Sequence, residues 1–282
     1  MQFGAGLPIT AMSDALALRD FTQALDGAGF DVLTSAGHLL GVPAERFTDR
    51  PQATYTGPFH DPFVAFGYLS ALTQRIHFRP TILILPLYPT PIVAKQSAEL
   101  QHLSNGRFEL GIGISWNTAE YRAVGQDFRT RGRRLEEQVE VLRKLWTQPY
   151  VTFSGRWHEL EGVGLSRLPA PIPIWIGGAH ERVLRRAARV ADGFMPLTDP
   201  FTTIPKVQAY VREAGRDPAY FGFTGRVTAG PGGPDEWIDA TRKLAAIGVT
   251  QVNLATPPDI QGDAALKRLI EARDTLAAAL NG

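Results

Sequence analysis

Residues 105–117 read Asn105-Gly106-Arg107-Phe108-Glu109-Leu110-Gly111-Ile112-Gly113-Ile114-Ser115-Trp116-Asn117. The Asn-Gly pair predicts a tight turn, because glycine adopts positive φ angles without steric cost. From Phe108 to Ile114 apolar residues alternate with glycine, which predicts a buried strand with one face free of side chains. Ser115 to Asn117 are suited to capping a following helix. A bare strand that runs into a helix N-terminus lets a flat or anionic ligand approach the backbone, so the stretch favours a cofactor enzyme.

Short apolar runs on both sides of this strand alternate with amphipathic stretches, which predicts strands and helices in alternation. The predicted strands are Phe3–Leu7, Asp31–Ser35, Ile76–Leu85, Phe108–Ile114, Ile174–Ile176, Phe194–Pro196, Phe221–Val227 and Gln251–Ala255. The predicted helices are Ser13–Ala28, Asp61–Thr73, Pro91–Ser104, Arg131–Trp146, Ala179–Val190, Thr203–Ala214, Asp235–Ile247 and Asp263–Leu280. This order predicts an α/β fold, the (β/α)8 TIM barrel. A doubly wound sheet is the alternative, but it favours a glycine-rich first turn, which Leu7-Pro8-Ile9-Thr10 lacks.

Two insertions interrupt the alternation, one after the second strand and one before the fifth. Ala36–His60 is rich in proline, glycine and aromatic residues and has no periodicity. Val151–Pro173 begins with Val151–His158, which we interpret as a small hairpin. Neither insertion resembles a linker, and we expect residues 1–282 to form a single domain.

The composition excludes several classes of protein. The chain has 282 residues, 44% of them hydrophobic and 20% charged, and a formal net charge of +1, which does not indicate a nucleic-acid or membrane partner. It has no cysteine, which removes disulfides, thiolate nucleophiles and cysteine metal sites. No apolar run reaches the length of about 18 residues that a membrane span needs. The N-terminus lacks the features of a signal peptide, so we expect a cytoplasmic enzyme without a metal site.

The active site of a TIM barrel lies at the carboxyl ends of its strands, and that rule selects the candidate residues. His38 follows the second strand and is the best acid–base candidate, with a purely structural loop histidine as the alternative. Gly177-Gly178 follows the fifth strand and fits either a backbone nest for an anion or a tight strand-to-helix turn. Four arginines fit either an anionic ligand tail or a solvated helix start: Arg129, Arg131, Arg133 and Arg134.

Several segments together resemble the luciferase-like monooxygenase family, also called the bacterial luciferase family. They are Thr81–Pro86, Pro91–Gln96, Leu103–Gly113, Arg131–Glu137, Pro173–Gly178 and Ala191–Phe194. The resemblance implies a barrel that binds FMN or the deazaflavin coenzyme F420 at its mouth. The short chain and the form of Ser104–Gly113 and Arg131–Glu137 look most like the branch that uses F420.

The same resemblance implies roles for individual residues. In that branch a histidine after the second strand lies at the cofactor ring, and here it is kept as His38. An acidic residue usually precedes it, but Gly37 stands in that place, so no carboxylate is expected beside His38. The third strand of the family tends to carry a bulge with a non-prolyl cis peptide behind the ring, which we place between Ile82 and Leu85.

A planar tricyclic cofactor needs an apolar wall and donors for its polar tail. We assign the wall to Ile82, Leu83 and Ile84, with Trp116 and Trp175. We assign the ribityl and phosphate groups to backbone positions after the fourth and fifth strands: Gly113, Ser115, Asn117, Gly177, Gly178 and Ala179. Deazaflavin has carbon in place of N5 and carries hydride, so His38 is assigned the accompanying proton transfer.

The sequence therefore predicts a homodimeric oxidoreductase that transfers hydride between F420 and a small organic substrate. One alternative is an FMN-dependent monooxygenase of the same fold that is served by a partner reductase. Another is a cofactor-binding protein with little turnover, which Gly37 suggests.

Overall fold

The computed structural model describes residues 1–8, 14–41, 43 and 60–281, and only the backbone of Asn281. Ile9, Thr10, Ser13 and most of the predicted insertion Ala36–His60 lie outside the described residues. The strands are β1 (Gln2–Gly6), β2 (Val32–Gly37), β3 (His77–Ile84), β4 (Leu110–Gly113), β5 (Val151–Ser154), β6 (Glu159–Val163), β7 (Ile174–Gly178), β8 (Gly193–Pro196), β9 (Gly222–Thr228) and β10 (Gln251–Ala255).

The helices are α1 (Ala15–Gly27), α2 (Pro62–Ser70), α3 (Thr90–Leu103), α4 (Thr118–Ala123), α5 (Arg131–Thr147), α6 (Glu181–Val190), α7 (Pro200–Glu213), α8 (Gly233–Ala246) and α9 (Gly262–Asn281). No helix among the described residues is both long enough and apolar enough to cross a membrane.

Eight parallel strands close into a barrel in the order β1-β10-β9-β8-β7-β4-β3-β2, and the helices lie outside it. The predicted TIM barrel is therefore confirmed. A hairpin at the predicted place is also confirmed, because β5 and β6 form a separate antiparallel pair, but it extends beyond His158 to Val163. The main apolar core lies between barrel and helices, and alternate strand residues such as Phe3, Ala5 and Leu33 point into it.

Helix termini follow the capping residues, with one correction. The Asp61 side chain accepts a hydrogen bond from the Val64 amide at 3.0 Å and caps α2, as predicted. For α1 the prediction of a helix from Ser13 is wrong, because Asp14 caps the helix and accepts from the Leu16 amide at 3.2 Å. The helix expected after the capping residues Ser115–Asn117 is confirmed as the six-residue α4, whose extent was not predicted because it is too short to show a helical period.

The end of the barrel opposite the carboxyl ends of its strands is filled by a layer that contains Trp175. Its ring lies against Gly193 and Gly222, where any side chain would collide with it. The guanidinium of Arg79 lies 4.1 Å from the ring centre and pairs with Glu109 at 3.2 Å. The assignment of Trp175 to a cofactor wall is therefore wrong, because its side chain plugs the amino-terminal end of the barrel.

Strand β3 carries the predicted irregularity. Ser35 pairs with Pro80 but Gly37 pairs with Leu83, so β3 contains one residue more than β2 over this interval. The Thr81–Ile82 peptide bond within it is cis. The bulge is confirmed, whereas the position predicted for the cis bond is wrong by one residue, because the bond precedes Ile82.

Candidate active site

A cavity of about 1240 Å³ opens at the carboxyl ends of the barrel strands. Residues that follow β2, β4 and β7 line one side of it, including His38, Ser115, Trp116 and Ala179. Residues of β9 and β10 line the other side. The size is typical of a site for a ligand larger than a drug-like molecule.

His38 is paired with a buried carboxylate. Its Nδ1 lies 2.9 Å from Oε2 of Glu120, and the Glu120 side chain has no exposed surface. The expectation that His38 has no carboxylate neighbour is wrong, because α4 brings Glu120 to it from 82 positions away. An ionised carboxylate only accepts hydrogen bonds, so Nδ1 carries the proton.

The surroundings of Glu120 keep it ionised. Its Oε1 accepts from the Leu39 amide at 2.7 Å and from the Leu40 amide at 3.2 Å. Burial by itself raises the pKa of Glu120, but the hydrogen bonds from His38 and the two amides outweigh burial and hold that pKa below its usual value. The carboxylate therefore joins the residues that follow β2 to helix α4.

Two residues set the position of α4. Ser115 has a φ of +53°, a backbone conformation that residues other than glycine rarely adopt, and it turns the chain out of β4. Its Oγ accepts from the Asn117 amide at 3.2 Å, and the Asn117 side chain caps α4 by accepting from the Ala119 amide at 3.0 Å. Glu120 then falls in the first turn of α4, directed at His38.

The sequence contains a signal at Glu120, but that signal points to a different role. Asn117-Thr118-Ala119-Glu120 has the spacing of a capping box, in which the acidic side chain bonds back to the amide of the cap residue. Here the Asn117 amide bonds to Ser115 instead. Glu120 therefore does not accept a hydrogen bond from the Asn117 amide, and its carboxylate pairs with His38.

The structure explains why position 37 holds glycine. A Cβ there would lie 2.8 Å from the Ile82 carbonyl oxygen and 3.2 Å from the Leu83 Cα, both backbone atoms. A carboxylate-bearing residue at this position would therefore push β2 away from the bulge of β3. The acid is supplied from another element because the strand leaves no space for it at Gly37.

The glycines that end β4 and β7 accommodate a single side chain. A Cβ on Gly113 would lie 2.7 Å from Ile82 Cδ1, and one on Gly177 would lie 2.8 Å from Ile82 Cγ2. The side chain of Ile82 thus fills the space beside both strands and forms the floor of the cavity. Of the three consecutive strand residues assigned to the apolar wall, Ile82, Leu83 and Ile84, only Ile82 lines the cavity.

The other wall residues lie elsewhere. Leu83 is fully buried in the main core, and Ile84 is fully buried in a smaller cluster with Leu87 and Tyr121. Asn117 is also buried and does not line the cavity. Its role is to cap α4. Trp116 does line the cavity, with its ring centre 6.4 Å from that of His38.

Beyond β7 the backbone runs into α6 at the cavity rim. Gly178 must lack a side chain because a Cβ would collide with Val183 of α6, which supports the tight-turn interpretation of the pair. Gly177, Gly178 and Ala179 all line the cavity, and no side chain caps the N-terminus of α6. The turn thus also presents backbone to the cavity, as the nest interpretation requires.

Arg131 is the member of the arginine run that reaches the cavity. Its guanidinium lies 3.6 Å from the centre of the Phe128 ring and donates to the Phe128 carbonyl at 2.7 Å. Burial lowers its pKa, and the nearby Arg186 lowers it further. No carboxylate among the described residues pairs with Arg131.

Comparison with known proteins gives matches over almost the whole chain. The model of a family described as luciferase-like monooxygenase matches residues 1–278. An uncharacterised protein of Mycobacterium tuberculosis is 34% identical over 197 residues, which cover 65% of this chain and 68% of that protein. An F420-dependent glucose-6-phosphate dehydrogenase of Nakamurella multipartita is 29% identical over 209 residues, covering 71% of this chain and 59% of the dehydrogenase.

The fold itself matches a solved structure closely. A structure of an F420-dependent secondary alcohol dehydrogenase with an F420-acetone adduct superposes with a TM-score of 0.80. The match covers 98% of each chain, at 17% sequence identity. At that identity the likeness shows a shared fold.

Proposed function

The chain belongs to the luciferase-like monooxygenase family and is an oxidoreductase, and from that premise we propose that it transfers hydride between coenzyme F420 and a small organic substrate. The reaction takes place in the cavity at the carboxyl ends of the barrel strands. The observation that carries the proposal is the pair of His38 and Glu120, 2.9 Å apart at the wall of that cavity.

The donors around the cavity fit an anionic deazaflavin or flavin. Among the described residues that line it there is no aspartate or glutamate, whereas Arg131 and Arg226 are present. The uncapped N-terminus of α6 adds backbone donors beside Gly177 and Gly178. Helix N-termini and guanidinium groups both favour phosphate and carboxylate groups.

The residues that would hold the cofactor divide by chemistry. Ile82 and Trp116 offer apolar surface to a planar ring. Ser115 and the Gly177–Ala179 segment offer polar backbone to the ribityl and phosphate groups, and Arg131 offers charge to the anionic tail. When bound, F420 supplies a carbon centre that accepts or gives a hydride.

The task of His38 is to move the proton that accompanies the hydride. Its Nδ1–H donates to Glu120, so the neutral ring keeps a lone pair on Nε2 that can accept a proton. The carboxylate of Glu120 stabilises the imidazolium that results. The alternative of binding without turnover was based on the lack of an acidic residue at position 37. Glu120 supplies a carboxylate to His38 instead, so that reason no longer applies.

The preference for F420 is supported by the similarity to the Nakamurella enzyme, whose name includes that coenzyme. The test is a fluorescence-quench titration of the purified protein with F420 and with FMN. We expect F420 to bind at least about tenfold more tightly, equivalent to about 1.4 kcal/mol. Equal or tighter binding of FMN would overturn the choice of F420 and support the FMN-dependent monooxygenase.

Two variants sharpen the titration. Arg131→Gln should weaken F420 binding, whereas Arg212→Gln should not, because Arg212 is an exposed arginine near the far end of α7. Reduced F420 with a panel of cyclic enones and imines, followed by cofactor absorbance, then tests turnover. Binding without oxidation of the cofactor by any of these acceptors would argue against this class of substrate.

A further inference from the structure

Arg226 is a cation in the cavity that the cofactor assignment does not use. It lies on β9, four positions from β3 in the closed strand order, and so faces the bulge and Ile82 from across the barrel. Its side chain is exposed at the cavity, and it makes no hydrogen bond or ion pair with any described residue. Its guanidinium therefore offers its donors to a ligand.

A second donor beside Arg226 is oriented by the barrel interior. Asn253 of β10 is the residue directly across from Arg226 in the register of the two parallel strands. Its Oδ1 accepts from Nε2 of Gln251 at 2.9 Å, while Oε1 of Gln251 accepts from the fully buried guanidinium of Arg79.

This chain of hydrogen bonds has only one consistent direction. A guanidinium donates and never accepts, so Gln251 must turn its oxygen to Arg79 and its NH2 to Asn253. Asn253 must then turn its oxygen inward, which leaves its own NH2 as the donor available to the cavity. Gly4 faces the same two amides, and a Cβ there would collide with both, so the strand leaves them their space.

Arg226 and Asn253 thus place donors next to each other on one wall. Arg131 provides a separate cation on the side formed by β4 and β7, where the proposed function places the cofactor tail. The described residues that line the cavity include no carboxylate to neutralise either arginine. A guanidinium beside an amide NH2 matches the two oxygens of a carboxylate, or of a phosphate, better than any neutral group.

We infer that the substrate carries an anionic group, a carboxylate or a phosphate, which is held by Arg226 and the Asn253 amide opposite the cofactor. The inference rests on the proposed function, because that function assigns the Arg131 side to the cofactor. It narrows the substrates from small organic molecules in general to organic acids or phosphate esters.

The test compares benzoate with benzamide, two probes of the same shape that differ in charge. Saturation-transfer NMR titrations are made on the protein alone and on protein loaded with F420. We expect benzoate to bind at least about tenfold more tightly than benzamide. Arg226→Gln should remove that preference, Arg226→Lys should keep part of it, and the control Arg212→Gln should keep all of it. Phenyl phosphate in place of benzoate shows which anion is preferred.

Equal affinity for the two probes, or a preference that survives Arg226→Gln, would overturn the inference. A preference that is lost in Arg131→Gln but kept in Arg226→Gln would also overturn it, because the anion would then occupy the proposed cofactor side. Cofactor binding is measured separately by fluorescence quenching. If F420 does not bind but the preference for benzoate depends on Arg226, the proposed function fails and the anion site stands.

Discussion

Replacing Glu120 with glutamine should keep the shape of the side chain but reverse its hydrogen bond to His38. In the parent protein Oε1 accepts from the amides of Leu39 and Leu40, and Oε2 accepts from His38 Nδ1 at 2.9 Å. The glutamine oxygen can keep both amides, which leaves its NH2 facing Nδ1. An NH2 group only donates, so Nδ1 must become the acceptor and the ring proton must move to Nε2.

The size of the effect follows from those contacts. A hydrogen bond to a charged group is worth about 1.5–3 kcal/mol, which corresponds to a factor of about 10 to 150. The reversed tautomer also prevents a neutral His38 from taking a proton through Nε2, and general acid–base assistance contributes about 10²- to 10⁴-fold. Glu120→Gln should therefore lower turnover at least about 10²-fold. Cofactor affinity should stay within a few-fold, because Glu120 does not line the cavity.

Two measurements test the change. Turnover is assayed with reduced F420 and an accepted substrate, and the tautomer of His38 is observed directly by ¹H–¹⁵N correlation in protein labelled at histidine. Glu140→Gln is the matched control, since Glu140 is exposed on α5 and lies 3.7 Å from Lys144. A Glu120→Gln protein with the parental turnover and the proton still on Nδ1 would refute the reasoning.

Three further predictions concern the same region. His38→Ala should lower turnover about 10²-fold or more while cofactor affinity stays within a few-fold of the parental value. Turnover at the parental rate would show that His38 has only a structural role. Gly37→Ala should lower the free energy of unfolding, measured by urea denaturation, by about 1–3 kcal/mol, because the added methyl group would collide with the Ile82 carbonyl oxygen. Gly67→Ala on α2 is the control, because a Cβ there meets no atom within 4 Å, and it should raise the free energy of unfolding by about 0.5–1 kcal/mol. Equal effects of the two substitutions would contradict the close contact between position 37 and the Ile82 carbonyl. The lowered pKa of Glu120 means that its contribution to stability is complete above the ordinary value of 4.5 and is lost as the pH falls through the lower folded value. Below pH 4.5 the free energy of unfolding should therefore fall less steeply with decreasing pH in Glu120→Gln than in the parent protein. Parallel curves of stability against pH for the two proteins would contradict this.

The barrel could be predicted because its signals are local. Each strand is a short apolar run bounded by turn residues, and the predicted limits differ from the observed ones by only a few residues. The exceptions are elements whose signal is weak or ambiguous. Helix α4 is too short for periodicity. Trp175 was assigned to the cofactor wall although it is the second residue of β7, and its position at the start of that strand directs it to the amino-terminal end of the barrel.

The site could be predicted only in part, because its contacts join distant positions. His38 follows a strand and was found from that fact. Glu120 was missed because the helix expected after Ser115–Asn117 is too short to show which side chains face inward, and because the spacing of Glu120 from Asn117 is that of an ordinary capping box. Leu83 and Ile84 continue the strand of Ile82, but only tertiary packing around the cis bond decides which of the three side chains meets the cavity.

The hydrogen bonds that Glu120 makes to the backbone have a consequence for engineering. They anchor Leu39 and Leu40 to α4, so the chain is clamped immediately after His38. Segments grafted after residue 40 from relatives of different length would begin from a fixed point. The His38–Glu120 pair would then be kept unchanged, so residues beyond position 40 could be replaced without disturbing it.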